Sequence, residues 1–146
     1  MVSIFSKIIN PEKIVLFAED SVKDILDITR IFEESEVCAK LRFVEDGKDL
    51  LDYLCKRNGY TSENAPAPDL IVFDIDKPDI DSFGALEKIK KDTALKQKTI
   101  FMFTKKSSNN EIEASFDLGA TVFRTKPWSS EWNRYIEFFH NILTLS

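Results

Sequence analysis

Asp74 is the residue with the clearest potential for chemistry, because it follows four consecutive apolar residues and begins a polar stretch. A buried strand that ends on a carboxylate carries that group to the carboxyl edge of a sheet, where open α/β folds place their ligands. Three other apolar runs end in a similar way, at Glu19-Asp20, at Thr104 and before Lys126. Carboxylates, a hydroxyl and an amine could therefore meet above one sheet. This set of groups suits a magnesium-dependent aspartyl-phosphate site.

The combination of acids with a lysine has a physical basis. Carboxylates that lie close together repel one another, and a hard divalent cation with oxygen ligands relieves the repulsion. Phosphoryl transfer needs positioning and charge neutralisation more than covalent assistance. A magnesium ion and a lysine supply both.

Length and charge narrow the class of protein. A chain of 146 residues corresponds to one domain, and a formal charge of −5 argues against a nucleic-acid partner, which would need clustered Lys and Arg. The chain has no signal-peptide pattern and no apolar run of transmembrane length, so we predict a cytoplasmic protein without a membrane partner.

Cys38 and Cys55 lack metal-type spacing and are predicted to be reduced, partly buried thiols.

Strand and helix patterns alternate along the whole chain. We predict strands at 14–18, 41–44, 69–73, 100–103 and 122–123, each followed by a helix. The first helix, with Asp20 or Ser21 as N-cap, is predicted to bury Val22, Ile25, Leu26, Thr29 and Phe32. The second is expected to end near Asn58-Gly59. Parallel strands need helical crossovers, so the predicted fold is α/β: a doubly wound, five-stranded parallel sheet of the flavodoxin-like (βα)5 kind with helices on both faces.

The chain resembles the receiver domains of two-component response regulators. The matching motifs are the acidic pair Glu19-Asp20, the segment 68–74 with Pro78, Thr104 after the fourth strand, and the segment 119–127 that contains Lys126. The resemblance runs from about Lys13 to the last helix. We therefore expect an N-terminal extension at 1–12 and a receiver domain at 13–146, with no output domain.

The resemblance implies a role for each matching residue. Asp74 would accept a phosphoryl group from a phosphohistidine of a sensor kinase or phosphotransfer protein, so the domain would be a phosphoacceptor that only phosphorylates and slowly dephosphorylates itself. The metal would be Mg²⁺, held directly by Asp20 and Asp74, by the backbone carbonyl of Asp76, and through water by Glu19. Lys126 and Thr104 would contact the phosphoryl oxygens.

The family also implies how the signal is passed on. In receivers the aromatic residue at Phe123 changes rotamer, the Lys126-Pro127 bond is cis, and the surface of the fourth helix, fifth strand and fifth helix binds targets or forms homodimers. We expect a downstream protein target and a possible homodimer through that surface. The loop at 57–68 resembles that of stand-alone regulators paired with phytochrome-like or hybrid kinases.

Two positions near the site depart from the family pattern, and a pair of charged residues flanks it. Lys105 stands where a small residue is usual and could hinder access to Asp74, and Ser82 replaces a common glycine. An ion pair between Asp76 and Lys106 could shield the acyl phosphate from water.

Two other functions compete with a working receiver. The segment 72–76 also resembles the first motif of haloacid-dehalogenase-type phosphohydrolases, in which Asp74 would be the nucleophile and Asp76 the general acid/base. Those enzymes bring further metal-binding acids after the lysine, whereas this chain has its acidic pair first. A degenerate receiver that binds partners without phosphorylation is the other alternative, and Lys105 keeps it open.

Overall fold

The fold consists of alternating strands and helices, as the sequence predicts. The structure is a computed structural model that describes residues 13–35, 37, 39–75, 80–104, 122–125, 139–141 and 143; for residues 74, 75, 80–83, 103, 104 and 122–125 it describes the backbone. In chain order the elements are β1 (Ile14–Ala18), α1 (Val22–Glu34), β2 (Lys40–Val44), α2 (Gly47–Cys55), β3 (Leu70–Ile75), α3 (Ile80–Lys91), β4 (Thr99–Thr104) and β5 (Val122–Thr125).

The strands form one five-stranded sheet in the order β2-β1-β3-β4-β5, and every neighbouring pair is parallel. The chain therefore winds outward from β1 in one direction to β2, and in the other direction through β3, β4 and β5. Such an order requires helical crossovers on both faces of the sheet. The predicted doubly wound, flavodoxin-like fold is confirmed.

The central strands are apolar on both sides because both sides of the sheet are covered. All five residues of β1 are buried, and residues 70–73 of β3 have no exposed surface. Continuous apolar strands of this kind are typical of parallel sheets with helices on each face. β3 extends one residue past Asp74, which the sequence had predicted to follow the strand.

Each face of the sheet has its own core. On one face, α2 and α3 pack against inward residues of β1, β3 and β4; we call this the α2/α3 core, and it includes Leu16, Ala18, Leu50, Leu51, Tyr53, Ile71, Phe73, Ala85, Leu86, Ile89, Ile100 and Met102. On the other face, α1 and the C-terminal residues cover the sheet; this phenylalanine core includes Val15, Phe17, Ile28, Ile31, Phe32, Leu70, Val72, Phe101, Phe139 and Leu143.

The first helix starts where the sequence predicts but does not bury all of the predicted face. Ser21 is the N-cap, and its hydroxyl accepts a hydrogen bond from the backbone N–H of Asp24 at 3.3 Å. Phe32 is buried as predicted, together with Ile28 and Ile31, whereas Val22 and Leu26 are 70% and 64% exposed. The prediction was wrong for these two residues, because the face of α1 that packs on the phenylalanine core is the one that carries Ile28, Ile31 and Phe32, and Val22 and Leu26 lie on the other face.

The second helix ends earlier than predicted. α2 stops at Cys55, and Lys56 at the C-cap adopts a left-handed conformation with φ of 57°. Asn58 and Gly59, the predicted end, also have positive φ, but they lie in the turn beyond the helix. Cys55 is an exposed thiol rather than the partly buried one that was expected.

The loop that follows α2 is attached to that helix by side chains. The Tyr53 hydroxyl donates to the carbonyl of Pro66 at 2.7 Å, and the Tyr60 hydroxyl donates to the Asp49 carboxylate at 2.8 Å. The Lys56 ammonium donates to the carbonyl of Ala65 and lies 5.1 Å from the centroid of the Tyr53 ring. The loop is therefore an ordered part of the α2/α3 face.

Several predictions concern residues outside the described parts of the chain: the extension at 1–12, the fourth helix, Cys38, Asp76, Lys105, Lys106 and the Lys126-Pro127 peptide bond. Of the last helix, residues 139–141 and 143 are described and are helical, and Phe139 and Leu143 are buried as predicted. None of the helices within the described ranges is long and apolar enough to cross a membrane.

Candidate functional site

The register of the sheet aligns the acidic residues of β1 and β3 at one edge. Ala18, the last residue of β1, is the register partner of Phe73 in β3. One residue further along each strand brings Glu19 level with Asp74, and Asp20 comes next. The carboxyl ends of these two strands therefore bring the backbone of Glu19, Asp20 and Asp74 to the same edge of the sheet.

The two acids after β1 have different environments. Glu19 is only 4% exposed, and its backbone N–H donates to the carbonyl of Val44 at the end of β2 at 2.8 Å. Asp20 is exposed and directly precedes the Ser21 N-cap of α1. The positive end of the α1 dipole lies beside this pair and favours their negative charge. One carboxylate is thus enclosed by protein, and the other faces solvent.

The third and fourth strands continue the same edge. Asp74 is the register partner of Phe103, so Thr104 lies level with Ile75, one position beyond Asp74. Thr104 is in turn the partner of Thr125 in β5, the residue before Lys126. Lys126 and Asp76 themselves lie outside the described residues. The backbone therefore brings Asp74 and Thr104 to the edge that also carries the β1 acids.

Asp69 joins the starts of β1 and β3, a contact that the sequence did not reveal. Its carboxylate accepts a hydrogen bond from the backbone N–H of Ile14 at 2.8 Å, and its own N–H donates to the carbonyl of Ile14 at 2.8 Å. Both bonds lie at the start of the two strands. The only signal in the sequence was an acid directly before an apolar run, which is also common in ordinary turns.

The chemistry of this edge favours a hard cation. Carboxylate and carbonyl oxygens are the ligands that Mg²⁺ and Mn²⁺ prefer. Among the side chains that the structure describes, no three His, Cys, Asp or Glu residues are grouped closely enough to hold a metal ion. The side chains of Asp74 and Asp76 are not in that set, so of the four predicted metal ligands the structure describes the side chains of Glu19 and Asp20.

A parallel α/β sheet of this order, with an acidic pair after its first strand and Asp74 near the end of its third, is the arrangement expected of a phosphoacceptor signalling domain. The family model for the response regulator receiver domain matches residues 15–132. The chain therefore belongs to the response regulator receiver family, and this membership supports a receiver over a haloacid-dehalogenase-type hydrolase.

Individual relatives agree with this assignment. The response regulator Rcp1 of Synechocystis is 29% identical over 117 residues, which cover 80% of this chain and 78% of Rcp1. The structure of the phosphorylated cyanobacterial phytochrome response regulator RcpA matches with a TM-score of 0.77 and 27% identity, over 90% of this chain and 94% of RcpA. The Mn²⁺-bound form of Rcp1 matches with a TM-score of 0.71 and 25% identity, over 89% and 91% of the two chains.

Proposed function

We propose that this response regulator receives a phosphoryl group on Asp74 from the phosphohistidine of a sensor kinase or phosphotransfer protein. The observation that supports the proposal is the strand register, which pairs Ala18 with Phe73, the residues directly before Glu19 and Asp74, in a chain of the receiver family. The domain is then a phosphoacceptor, with phosphorylation and slow dephosphorylation of itself as its only chemistry.

The transfer needs one nucleophile and good charge neutralisation. A carboxylate oxygen of Asp74 attacks phosphorus, the bond from phosphorus to the histidine nitrogen breaks, and its electrons return to the imidazole. Lys126 would pair with the phosphoryl oxygens, and Thr104 would donate its hydroxyl to one of them once the acyl phosphate has formed. The register supports these two roles, because Thr104 and the residue before Lys126 end neighbouring strands.

The proposed cofactor is Mg²⁺. Bound at the edge, it would supply positive charge that offsets the charge building up on the phosphoryl oxygens. Asp20 and Asp74 would ligate it directly with the carbonyl of Asp76, and Glu19 would act through water. The all-oxygen donor set supports this choice, and so does the Mn²⁺ found in the relative Rcp1.

The partner would contact the start of α1. Val22 and Leu26 are the large apolar side chains that α1 leaves exposed, and they follow the acidic pair by a few residues. An apolar surface next to a phosphoryl acceptor suits a partner that must bring its phosphohistidine to the same edge. The relative RcpA is a phytochrome response regulator, so a phytochrome-like kinase in the cytoplasm is the proposed donor.

The phosphoacceptor is tested with acetyl phosphate and Mg²⁺, followed by intact mass and peptide mapping. We expect one added phosphoryl group on Asp74, none on Asp74→Asn, and none when the cation is chelated. Asp27→Asn is the matched control, because Asp27 is an acid on α1 that pairs with Lys23 and Arg30 away from the edge. If no donor, including purified kinases, modifies Asp74, the chain is a degenerate receiver; steady hydrolysis of phosphate esters would instead indicate a phosphohydrolase.

The partner surface is tested by a Val22→Ser, Leu26→Ser double variant. We expect phosphotransfer from a kinase to slow by about tenfold or more, with unchanged modification by acetyl phosphate, because only the protein donor needs a docking surface. Lys23→Ser, on an exposed neighbouring position, should leave both reactions unchanged. Equal loss with both donors would point to a damaged site rather than to a docking surface.

A further inference from the structure

A cleft of about 560 Å³ lies between α2 and α3 on the outer side of the α2/α3 core. Apolar side chains of Leu51 and Ala85 form part of its wall, and Lys48, Arg57 and Lys88 lie around it. Neither Glu19 nor Asp20 lines it. The cleft is therefore separate from the acidic pair at the sheet edge.

Gly84 lines this cleft and has free space where a side chain would be. It lies inside α3, where a glycine weakens a helix relative to alanine because its backbone has more freedom to lose. A Cβ atom added at Gly84 would meet nothing within 4 Å, so close packing does not require a glycine there. What the missing side chain does provide is space in the wall of the cleft.

The acids around the cleft are already engaged within the protein. The Asp46 carboxylate accepts a hydrogen bond from the N–H of Asp49 at 2.8 Å as the N-cap of α2. The carboxylate of Asp52 is largely buried; it accepts from the amide of Asn58 at 2.9 Å and forms an ion pair with Arg57 at 3.4 Å. These carboxylates are therefore not the groups that the cleft offers to a ligand.

The two lysines of the cleft, unlike Asp52, have no ion-pair partner among the described residues. Lys48 on α2 and Lys88 on α3 form no ion pair with any side chain in the described part of the structure. Among the described residues, the cleft thus has on each of its two helices an ammonium group without an ion-pair partner, in a chain whose formal charge is −5. Two cations on opposite walls of a cavity attract an anion.

We propose that this cleft binds a small anionic molecule that joins a phosphate or carboxylate to a compact apolar body. The lysines would hold the anionic group, and Leu51 and Ala85 would contact the apolar part. The volume lies within the range of roughly 300–1,000 Å³ that small-molecule sites occupy. A cleft of this volume is large enough for a whole small molecule. A docked acidic peptide would insert only a single side chain and would leave much of the cleft empty. The site is additional to the phosphoacceptor edge and does not depend on it.

The test uses phenyl phosphate as the probe, with inorganic phosphate and phenol as its two halves. The full-length chain is titrated without divalent cations, and binding is followed by amide NMR shifts. We expect phenyl phosphate to shift the signals of Gly84 and Leu51 and to bind about tenfold or more tightly than either half. Signals that move only at the sheet edge, or equal binding of bare phosphate, would overturn the proposal.

Variants separate the charge of the cleft from its space. Lys48→Gln with Lys88→Gln should weaken phenyl phosphate binding by about tenfold, whereas Lys23→Gln on α1 should not change it. Gly84→Leu should fill the cleft and abolish binding, and Gly84→Ala, which adds one methyl group, should retain most of it. Circular dichroism and urea denaturation check that each variant is folded. Unchanged binding in the double variant, or binding of a poly-glutamate peptide but not of phenyl phosphate, would contradict a small-molecule site.

Discussion

The two faces of the sheet are closed in different ways. In the phenylalanine core, rings contact one another from the sheet outward: Phe17 packs on Phe32 with ring centroids 6.1 Å apart, and Phe139 packs on Phe32 at 6.2 Å and on Phe101 at 5.3 Å. The α2/α3 core is mainly aliphatic, and its outer side has an open, charged cleft.

The difference shows where this receiver can vary without losing its fold. Interlocked aromatic rings leave little space, and a change to one ring is transmitted to its neighbours. On the other face, the aliphatic residues fill the inner layer, and the outer layer is held by hydrogen bonds of tyrosines, lysines and Asp52. We infer that the phenylalanine face supplies more of the rigidity and the α2/α3 face more of the adaptable surface.

The largest expected effect is at the centre of the phenylalanine core. Phe139→Ala should lower the free energy of unfolding by about 3–5 kcal/mol, because it removes a fully buried ring and leaves a cavity. Urea denaturation measures this loss. Phe139→Leu, which keeps most of the apolar volume, should cost far less. A loss below about 1 kcal/mol for the alanine variant would show that the last helix does not close this face.

The next effect concerns the buried acid of the opposite face. Asp52→Ala should cost about 1–3 kcal/mol, because the amide of Asn58 and the guanidinium of Arg57 lose their common acceptor. Arg57→Ala should cost less than about 1 kcal/mol, since the Arg57 side chain is 57% exposed and is solvated by water. Thermal or urea unfolding compares the two. If the two variants lost the same free energy of unfolding, the ion pair between Asp52 and Arg57 would account for the stabilisation, and the hydrogen bond from Asn58 to the buried carboxylate would not contribute.

A smaller effect is expected where the loop meets α2. Burial in the first place, then the hydrogen bond to Asp49 and the charges of Asp49, Asp52 and Glu45, raises the pKa of Tyr60 to about 12 from its ordinary value of 10.0. The folded state therefore holds the phenolic proton more tightly than the unfolded state does. The stabilisation is complete below pH 10 and is lost as the pH rises towards 12.

Tyr60→Phe isolates this contribution. The variant should lose about 1 kcal/mol near neutral pH, because one hydrogen bond to a carboxylate is removed. Its stability should also fall less steeply than that of the parent chain in the alkaline range. Some dependence will remain, because burial also raises the pKa of Tyr53, an effect that Arg42 opposes. Identical alkaline profiles for the two proteins would exclude Tyr60 as the group responsible.

The smallest effect has the opposite sign. Gly84→Ala should raise the free energy of unfolding by about 0.5–1 kcal/mol, because a helix interior favours alanine and the new methyl group meets no atom. Ala85→Gly, one residue further along α3, should be destabilising and serves as the counterpart. A destabilised Gly84→Ala variant would mean that α3 needs a glycine for a reason other than space in the cleft.

The sequence predicted the strands well and the helix surfaces less well. A strand buried on both sides is a continuous apolar run, so the bounds of β1 are the predicted ones and those of β2 differ by one residue. The apolar face of α1 was read from its first residue onward. Val22 and Leu26 are exposed because they lie on the face of α1 opposite Ile28, Ile31 and Phe32. Apolar residues occur on both faces of this helix, so the sequence pattern does not decide which face is buried.

The candidate site could be predicted as a set of positions but not as a geometry. Acids, a threonine and a lysine after consecutive strands imply a common edge, because parallel strands all end at the same side. The register of β1 and β3 is accompanied by the contact between Asp69 and Ile14, which spans 55 positions of the chain. A pairing across that distance is a product of folding rather than of local pattern.

The double hydrogen bond between Asp69 and Ile14 has a consequence for the precision of signalling. It fixes the common origin of two strands whose far ends carry the proposed acceptor and its neighbouring acids. A slip of one residue would displace Asp74 along the sheet by about 3.3 Å relative to Asp20. That displacement exceeds the whole length of a bond from Mg²⁺ to oxygen, about 2.1 Å. A contact of Asp69 at one end of the sheet thus helps to keep the acidic residues at the other end at a fixed spacing.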